Sequence, residues 1–370
     1  MKSSGSELII DVGSASVGAC LVQKGKTGKP IISFVKRVSI KGTGLTDARA
    51  LATQTHKAIS DLLSQYRSSK PTYVRFVLAS PWYESTIKMV TAKSDSAVRI
   101  TENSVAKVVA EYEGKHELAE GRHLIERVVP QVYVNGYGTS LSKSVKGTSL
   151  RVNVYESQAD ATFVAALTAS VEKAFSGAEV SFHSFPLIAF VVLRALRDEK
   201  DFMFVDVGGE VTDVVITRED SLRFIGSFPK GTASVVRHLS LAKGSISDAQ
   251  SRLSLFTRSE LSEKETKQFK GAFETATAQW GVSCEEALQS AAETVPIPQT
   301  AFIAADKEEL RWLEKALEGM QGSFPKNPIF LSPDFFHEHI EIGEGALYDA
   351  FLSLQALFFH IGKQDLIAVE

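Results

Sequence analysis

The residues of this chain whose types and spacing could do chemistry lie in two short acidic glycine turns. The first is Asp11-Val-Gly13-Ser14-Ala-Ser16, leaving the apolar run Glu7-Leu-Ile-Ile. The second is Asp206-Val-Gly208-Gly209-Glu210-Val-Thr212-Asp213, leaving Phe202-Met-Phe-Val. Glycine lets a backbone take positive φ and approach a ligand closely, and exposed N–H groups in such turns make a nest for phosphate oxygens. A carboxylate beside each nest could hold a magnesium ion or orient a water against the phosphates. Either turn alone reads first as a plain β-hairpin, because short glycine patterns recur widely. As a pair they could grip one nucleotide from opposite sides.

The elements around the turns repeat. After the first come strands Val17 to Lys24 and Ile31 to Val38, joined by the turn Gly25-Lys-Thr-Gly-Lys-Pro30, and then a helix from about Leu45 to Tyr66. After the second come strands Val211 to Thr217 and Leu222 to Phe228, joined by Arg218-Glu-Asp-Ser221, and a helix from about Thr232 to Ala242. Periodicity therefore predicts a degenerate internal duplication of a β-β-β-α unit. Two such units facing one another enclose a cleft.

Composition bounds the rest. The 370 residues suit two to three domains, and 44% hydrophobic residues suffices for real cores. Forty-one Lys plus Arg stand against 44 Asp plus Glu, a net charge of -3 with no long basic run, which argues against nucleic acid as a partner. Phe185-Pro-Leu-Ile-Ala-Phe-Val-Val-Leu193 meets Arg194 well short of the roughly 20 apolar residues that cross a bilayer, and reads as a buried helix. Cys20 and Cys284 read as packing residues, so no disulfide framework is expected. The segment from Met1 to Ser6 has no apolar core, and a cytoplasmic protein is expected.

Between the two units, a strand Thr86 to Ala92, a helix Thr101 to Tyr112 and strands Leu124 to Val134 and Leu150 to Glu156 make a small separate subdomain, with Ser140 to Gly147 as a solvated loop. Helices Ala159 to Phe175 and Pro186 to Leu196 lead into the second turn. Beyond it, helical spacing covers Ser247 to Leu253, Ser262 to Trp280 and Cys284 to Glu293. A strand Thr300 to Ala304, a helix Glu308 to Leu317 and an apolar helix Gly345 to Phe359 follow.

These motifs resemble those of the actin-like ATPase superfamily, and within it the bacterial FtsA/PilM group of cell-division and type IV pilus assembly proteins. Asp11-Val-Gly-Ser-Ala-Ser16 resembles the family's first phosphate motif in its PilM-like form, and Asp206-Val-Gly-Gly209 the second. Leu124 to Gly136 resembles the group's inserted subdomain, and Pro186 to Leu193 its connecting helix; the resemblance covers roughly residues 7 to 362. It implies an α/β fold of duplicated actin-like (ribonuclease H-like) lobes around a central cleft, with an inserted α+β subdomain. The division it implies is 1–80 for the first lobe, 81–158 for the insert, 159–200 for the first lobe continued, 201–344 for the second lobe with a helical extension, and 345–370 for a C-terminal helix returning to the first lobe.

The sequence also departs from the family pattern. Glu210 and Val211 stand where a third Gly and a Thr are usual. A carboxylate in a phosphate nest is repelled by about 4 kcal/mol per unit charge at 4 Å and an effective dielectric of 20. In the stretch resembling the adenosine motif, Ala304 and Ala305 replace two glycines, and Gln250 and Leu253 replace a Glu and a Lys of the preceding helix. The implied cofactors, ATP and magnesium, are thus expected to bind weakly or not at all. If they bind, Asp11 and Asp206 face the metal, Gly13, Ser14, Ser16, Gly208 and Gly209 form the phosphate cradle, and Asp213 stands behind them.

The expected role is a cytoplasmic scaffold at the inner face of the cell membrane. Its implied partner is the cytoplasmic segment of an inner-membrane assembly protein in a pilus-type system, gripped beside residues 81–158; Trp82, Tyr83, Tyr133 and Tyr137 could form a docking surface there, though aromatics at such positions more often serve core or rim packing. The resemblance leaves room for self-association. The alternative is an ATP-binding, polymerising FtsA-like division protein. Such proteins generally end in a basic amphipathic helix, and Gly362 to Glu370 is too short for one, so no direct membrane anchor is expected. Enzymatic activity is expected to be at most a weak ATPase.

Overall fold

The computed structural model describes residues 6–40, 47–113, 118–139, 141, 145–242, 244–305, 307–320, 324–362 and 366–368. The chain begins with strands β1 (Glu7–Val12), β2 (Ser16–Lys24) and β3 (Pro30–Ser39), helix α1 (Ala48–Gln65) and strand β4 (Tyr73–Leu78). The expected start of α1 near Leu45 lies outside the described residues. Next come β5 (Glu84–Ile100), α2 (Glu102–Glu113), β6 (Arg122–Val134), β7 (Tyr137–Thr139) and β8 (Val145–Asp160), and then α3 (Ala161–Ala174), β9 (Glu179–Ser184) and α4 (Phe185–Leu196). The second half holds β10 (Phe202–Val207), β11 (Thr212–Arg218), β12 (Ser221–Phe228), α5 (Thr232–Ala242), α6 (Ile246–Thr257), α7 (Glu263–Ala292), β13 (Ala301–Ala304) and α8 (Lys307–Glu318). It closes with β14 (Ile329–Phe330), α9 (Pro333–Phe336), β15 (Glu341–Ile342), α10 (Ala350–Ile361) and β16 (Ile367–Ala368).

The duplication is visible in the sheets. The first has the order β15-β3-β2-β1-β4-β9 and the second β12-β11-β10-β13-β14. In each, the strand carrying the acidic turn pairs antiparallel with its successor and parallel with the later strand on its other side. Leu8 to Val12 and Phe202 to Val207 are buried throughout, as expected of central strands covered on both faces.

Helices α4 and α10 lie between the halves. Their cluster takes in Ile9 and Cys20 of the first sheet together with Phe204, Val215 and Phe302 of the second. Phe185 to Leu193 of α4 is buried on all sides, which explains an apolar run without a polar stripe. Helices α1 and α3 cover the other face of the first sheet, and α5, α6, α7 and α8 that of the second.

The segment between the halves forms a sheet of its own, β16-β6-β8-β5, with α2 on one face. Its strands outrun expectation: β5 reaches Ile100, and β8 starts at Val145, so Val145 to Gly147 is strand rather than solvated loop. Pairing of Val98 with Gly147 and Ile100 with Val145 carries the ribbon past a register shift, and an exposed two-stranded ribbon alternates as a solvated loop does. Another correction concerns α7, one helix of 30 residues where two were expected. Gly281 lies within this helix, where an added Cβ would meet Met320 Cγ at an ordinary 3.5 Å. Helix α10 starts at Ala350, five residues later than expected, because the Asp349 carboxylate accepts from the Leu352 N–H at 3.0 Å and caps it.

Candidate functional site

Both acidic turns line one cavity of about 260 Å³ between the two halves, with Asp11, Ser14, Asp206, Glu210, Asp213 and Arg237 among its walls. The turns are built alike. The Gly13 N–H donates to the Ser16 carbonyl at 3.1 Å, and the Gly208 N–H to the Val211 carbonyl at 3.1 Å. Asp11 and Asp206 therefore occupy corresponding places near the ends of β1 and β10. All eight residues singled out in the sequence are drawn to this region, and Asp11, Gly13, Ser14, Ser16, Asp206, Gly208, Gly209 and Asp213 all line the cavity.

The two turns touch. The Glu210 N–H donates to the Ser14 hydroxyl at 2.9 Å, across the cleft. A Cβ built on Gly209 would stand 2.1 Å from the Cβ of Ala15, so the second turn comes this close only because Gly209 has no side chain. Gly231 plays a similar part behind it. It lets the start of α5 close on the turn, where the Thr232 and Ala233 N–H groups donate to the Gly208 and Gly209 carbonyls at 3.0 and 2.8 Å.

Asp11, Glu210 and Asp213 each meet protein partners. The Asp11 carboxylate accepts from Arg37 Nη1 at 3.0 Å on one oxygen and from Gln355 Nε2 at 2.7 Å on the other. Burial pushes the Asp11 carboxyl up from its ordinary range, against the pull of Arg37. Glu210 points neither at a nest nor at solvent. It is 4% exposed and takes a two-pronged ion pair from Arg237 of α5 at 2.5 and 2.6 Å. Asp213 accepts from Ser80 Oγ at 2.7 Å and from Tyr83 Oη at 3.0 Å, both on the segment that leads out of the first lobe. Burial lifts its carboxyl to about 6, and the two hydroxyl donors only partly offset this. Asp206 is buried beside it, its cross-strand partner in the β10–β11 ladder.

On the adenosine side, Ala304 and Ala305 are buried, and Gln250 of α6 reaches the same cavity as the turns. Asp306 lies outside the described residues. Of the four aromatic residues weighed as docking surface or packing, three are packed inward. Trp82 stacks on Phe163 at 4.4 Å and donates to the Gly13 carbonyl at 2.8 Å. Tyr83 is tied to Asp213, and Tyr133 is 3% exposed between Arg151 and Arg223, whose guanidinium carbons sit 4.4 and 5.4 Å from its ring centre. Tyr137 stays exposed.

Sequence reading missed Arg37, Arg237 and Gln355. Arg237 and Gln355 carry no local signal, since each reaches the site from a helix distant in sequence. For Arg37 the signal is a cross-strand register that only the folded sheet displays.

No protein-family model and no curated protein matches the chain. Among solved structures, one titled PilM-PilN type IV pilus biogenesis complex aligns over 98% of this chain and 100% of its own, at 13% identity and a TM-score of 0.69. MreB 5 of Spiroplasma citri bound to AMPPNP aligns over 96% of both chains at 11% identity and a TM-score of 0.46. The ethanolamine utilization protein EutJ from Carboxydothermus hydrogenoformans aligns over 96% of this chain and 90% of its own at 11% identity and 0.45. Among the described residues no helix is long and apolar enough to cross a membrane. At these identities the likeness is one of fold, and the chain has the actin-like fold in its PilM-type form.

Proposed function

We propose that this chain is an actin-fold adaptor. It docks the cytoplasmic segment of a membrane protein in a pilus-type assembly, and its cleft has weakened or lost nucleotide binding. The whole-chain likeness to the protein of a PilM-PilN complex supports the adaptor half of this reading.

The observation that carries the nucleotide half is the hydrogen bond from the Glu210 N–H to Ser14. It joins the two turns where phosphates would have to enter between them. The residues present fit Mg-ATP poorly. Asp11 is engaged on both oxygens, and the second turn carries a buried carboxylate, Glu210, already paired with Arg237. A shape that nucleotide would otherwise set is here supplied by the chain's own contacts, leaving a permanently closed body for a partner to read.

Titration calorimetry with Mg-ATP tests the nucleotide half, and no saturable heat is expected. Micromolar binding abolished by Asp11→Ala, or filaments that form only with ATP, would overturn it. The adaptor half is tested with synthetic peptides covering the cytoplasmic segments of single-span membrane proteins encoded beside this chain. A complex of equal affinity with and without ATP is expected, and failure of every such peptide to bind would reject the adaptor.

A further inference from the structure

We propose that Arg37 is a built-in cation that stands beside Asp11 where an actin-like cleft would hold its metal. The inference rests on the reading that this cleft works without nucleotide, and it names the residue responsible. Three oxygens from three separate elements converge on the one guanidinium. Nη1 donates to Asp11 Oδ2 at 3.0 Å and to Ser16 Oγ at 2.9 Å, while Nε and Nη2 donate to Asp349 Oδ2 at 2.9 and 2.7 Å. The planar fork suits two carboxylates at once, and the guanidinium carbon also lies 5.6 Å from the centre of the Phe351 ring.

The berth is built into the sheet. Asp11 pairs with Gly18 across β1 and β2, and Gly18 pairs with Arg37 across β2 and β3, so the three stand in one row. A Cβ on Gly18 would meet Arg37 Nη2 at 2.8 Å and Cζ at 2.9 Å. Glycine in the middle strand is what lets the arginine cross β2 to reach the aspartate. The corresponding row of the second lobe reads Asp206, Asp213, Ser227, so its register places neither an arginine nor a glycine there.

One consequence separates a tethered cation from an ordinary structural ion pair. Without the guanidinium, Asp11, Asp349 and Ser16 present hard oxygen donors of the kind magnesium and manganese prefer. Manganese(II) binding to the full chain, followed by electron paramagnetic resonance without nucleotide, therefore tests the assignment. The wild type is expected to bind no manganese through Asp11. Arg37→Ala is expected to gain a site at least an order of magnitude tighter than any wild-type binding, and Arg37→Ala combined with Asp11→Asn to lose it.

Should Arg37→Ala not fold, Gly18→Ala keeps the arginine while closing its berth, and is expected to gain the same Asp11-dependent site. Manganese binding by the wild type through Asp11, or no gain in the variants, would overturn the assignment. The test uses no partner peptide, so it is read apart from the adaptor proposal. Failed peptide binding alongside the manganese gain would reject the adaptor and support Arg37 in its role.

Discussion

Gly209 and Ala15 face each other across the cleft so closely that a methyl group on the glycine would stand 2.1 Å from the alanine Cβ. Real Cβ atoms do not approach to that distance, so Gly209→Ala must push the two turns apart, or strain one of them. Overpacking of this kind costs about 1–3 kcal/mol. The bond from the Glu210 N–H to Ser14 is expected to go with it, stranding a buried donor. Denaturant unfolding of Gly209→Ala should therefore show a loss at the upper end of that range. Small-angle scattering should show a larger radius of gyration if the lobes part, and an unchanged one if a turn deforms alone.

The pair between Glu210 and Arg237 is asymmetric, and the asymmetry is measurable. The glutamate side chain is 5% exposed and the arginine side chain 41%. With Glu210→Ala, Arg237 turns into solvent, and the loss should stay near the 1 kcal/mol typical of a half-exposed pair. Arg237→Ala leaves a carboxylate buried and unpaired, which costs roughly 2–3 kcal/mol or more. Thermal or chemical unfolding of the two single variants should rank Arg237→Ala as clearly the worse. Equal losses would mean that Glu210 reaches water once its partner is gone.

Much of this architecture is legible in the sequence because it rests on local chemistry. Asp-Val-Gly with flanking apolar alternation specifies a strand and a tight turn, and its recurrence after residue 200 specifies the duplication. What hides is whatever depends on register or on distant elements. Gly18 reads as a small residue in a strand, and its purpose appears only when β1, β2 and β3 are aligned and Arg37 is found on the far side. Likewise Glu210 is conspicuous as a charge in a glycine turn, yet nothing near it announces Arg237, 27 residues on in another element.

The inserted sheet clamps the second lobe through Tyr133. Arg223 of β12 donates to its hydroxyl at 2.8 Å and lies over its ring, while Arg151 lies over it as well. Nearby, Asn153 Nδ2 donates to Ser221 Oγ at 2.8 Å, in a buried contact. Tyr133→Leu removes the hydroxyl acceptor and the π face together, a loss of about 1–3 kcal/mol for two modest interactions. Hydrogen exchange is the sharper readout: β12 and the start of β5 should exchange faster in the variant, with β1 and β4 of the first sheet unchanged.

Asp213 makes the closed cleft sensitive to pH, with a sign fixed by its environment. Its carboxyl is lifted from an ordinary 3.8 to about 6, chiefly by burial, with the Ser80 and Tyr83 hydroxyls pulling the other way. A folded-state value above the unfolded one means that folding favours the protonated acid. The associated stability is fully present below about pH 4 and is lost as pH rises through 6, by at most on the order of 3 kcal/mol for a two-unit shift. Asparagine keeps the shape, cannot ionise and can still accept from one hydroxyl while donating to the other. Asp213→Asn should therefore approach the wild type below about pH 4, exceed it increasingly between about pH 4 and 6.5 and hold a constant excess above that, in unfolding free energies measured across that range. Taking the difference between the two proteins removes the titration of every other group they share. A flat difference would mean that Asp213 is already hydrated in the folded chain, and that the contact between the first lobe and β11 is open to water.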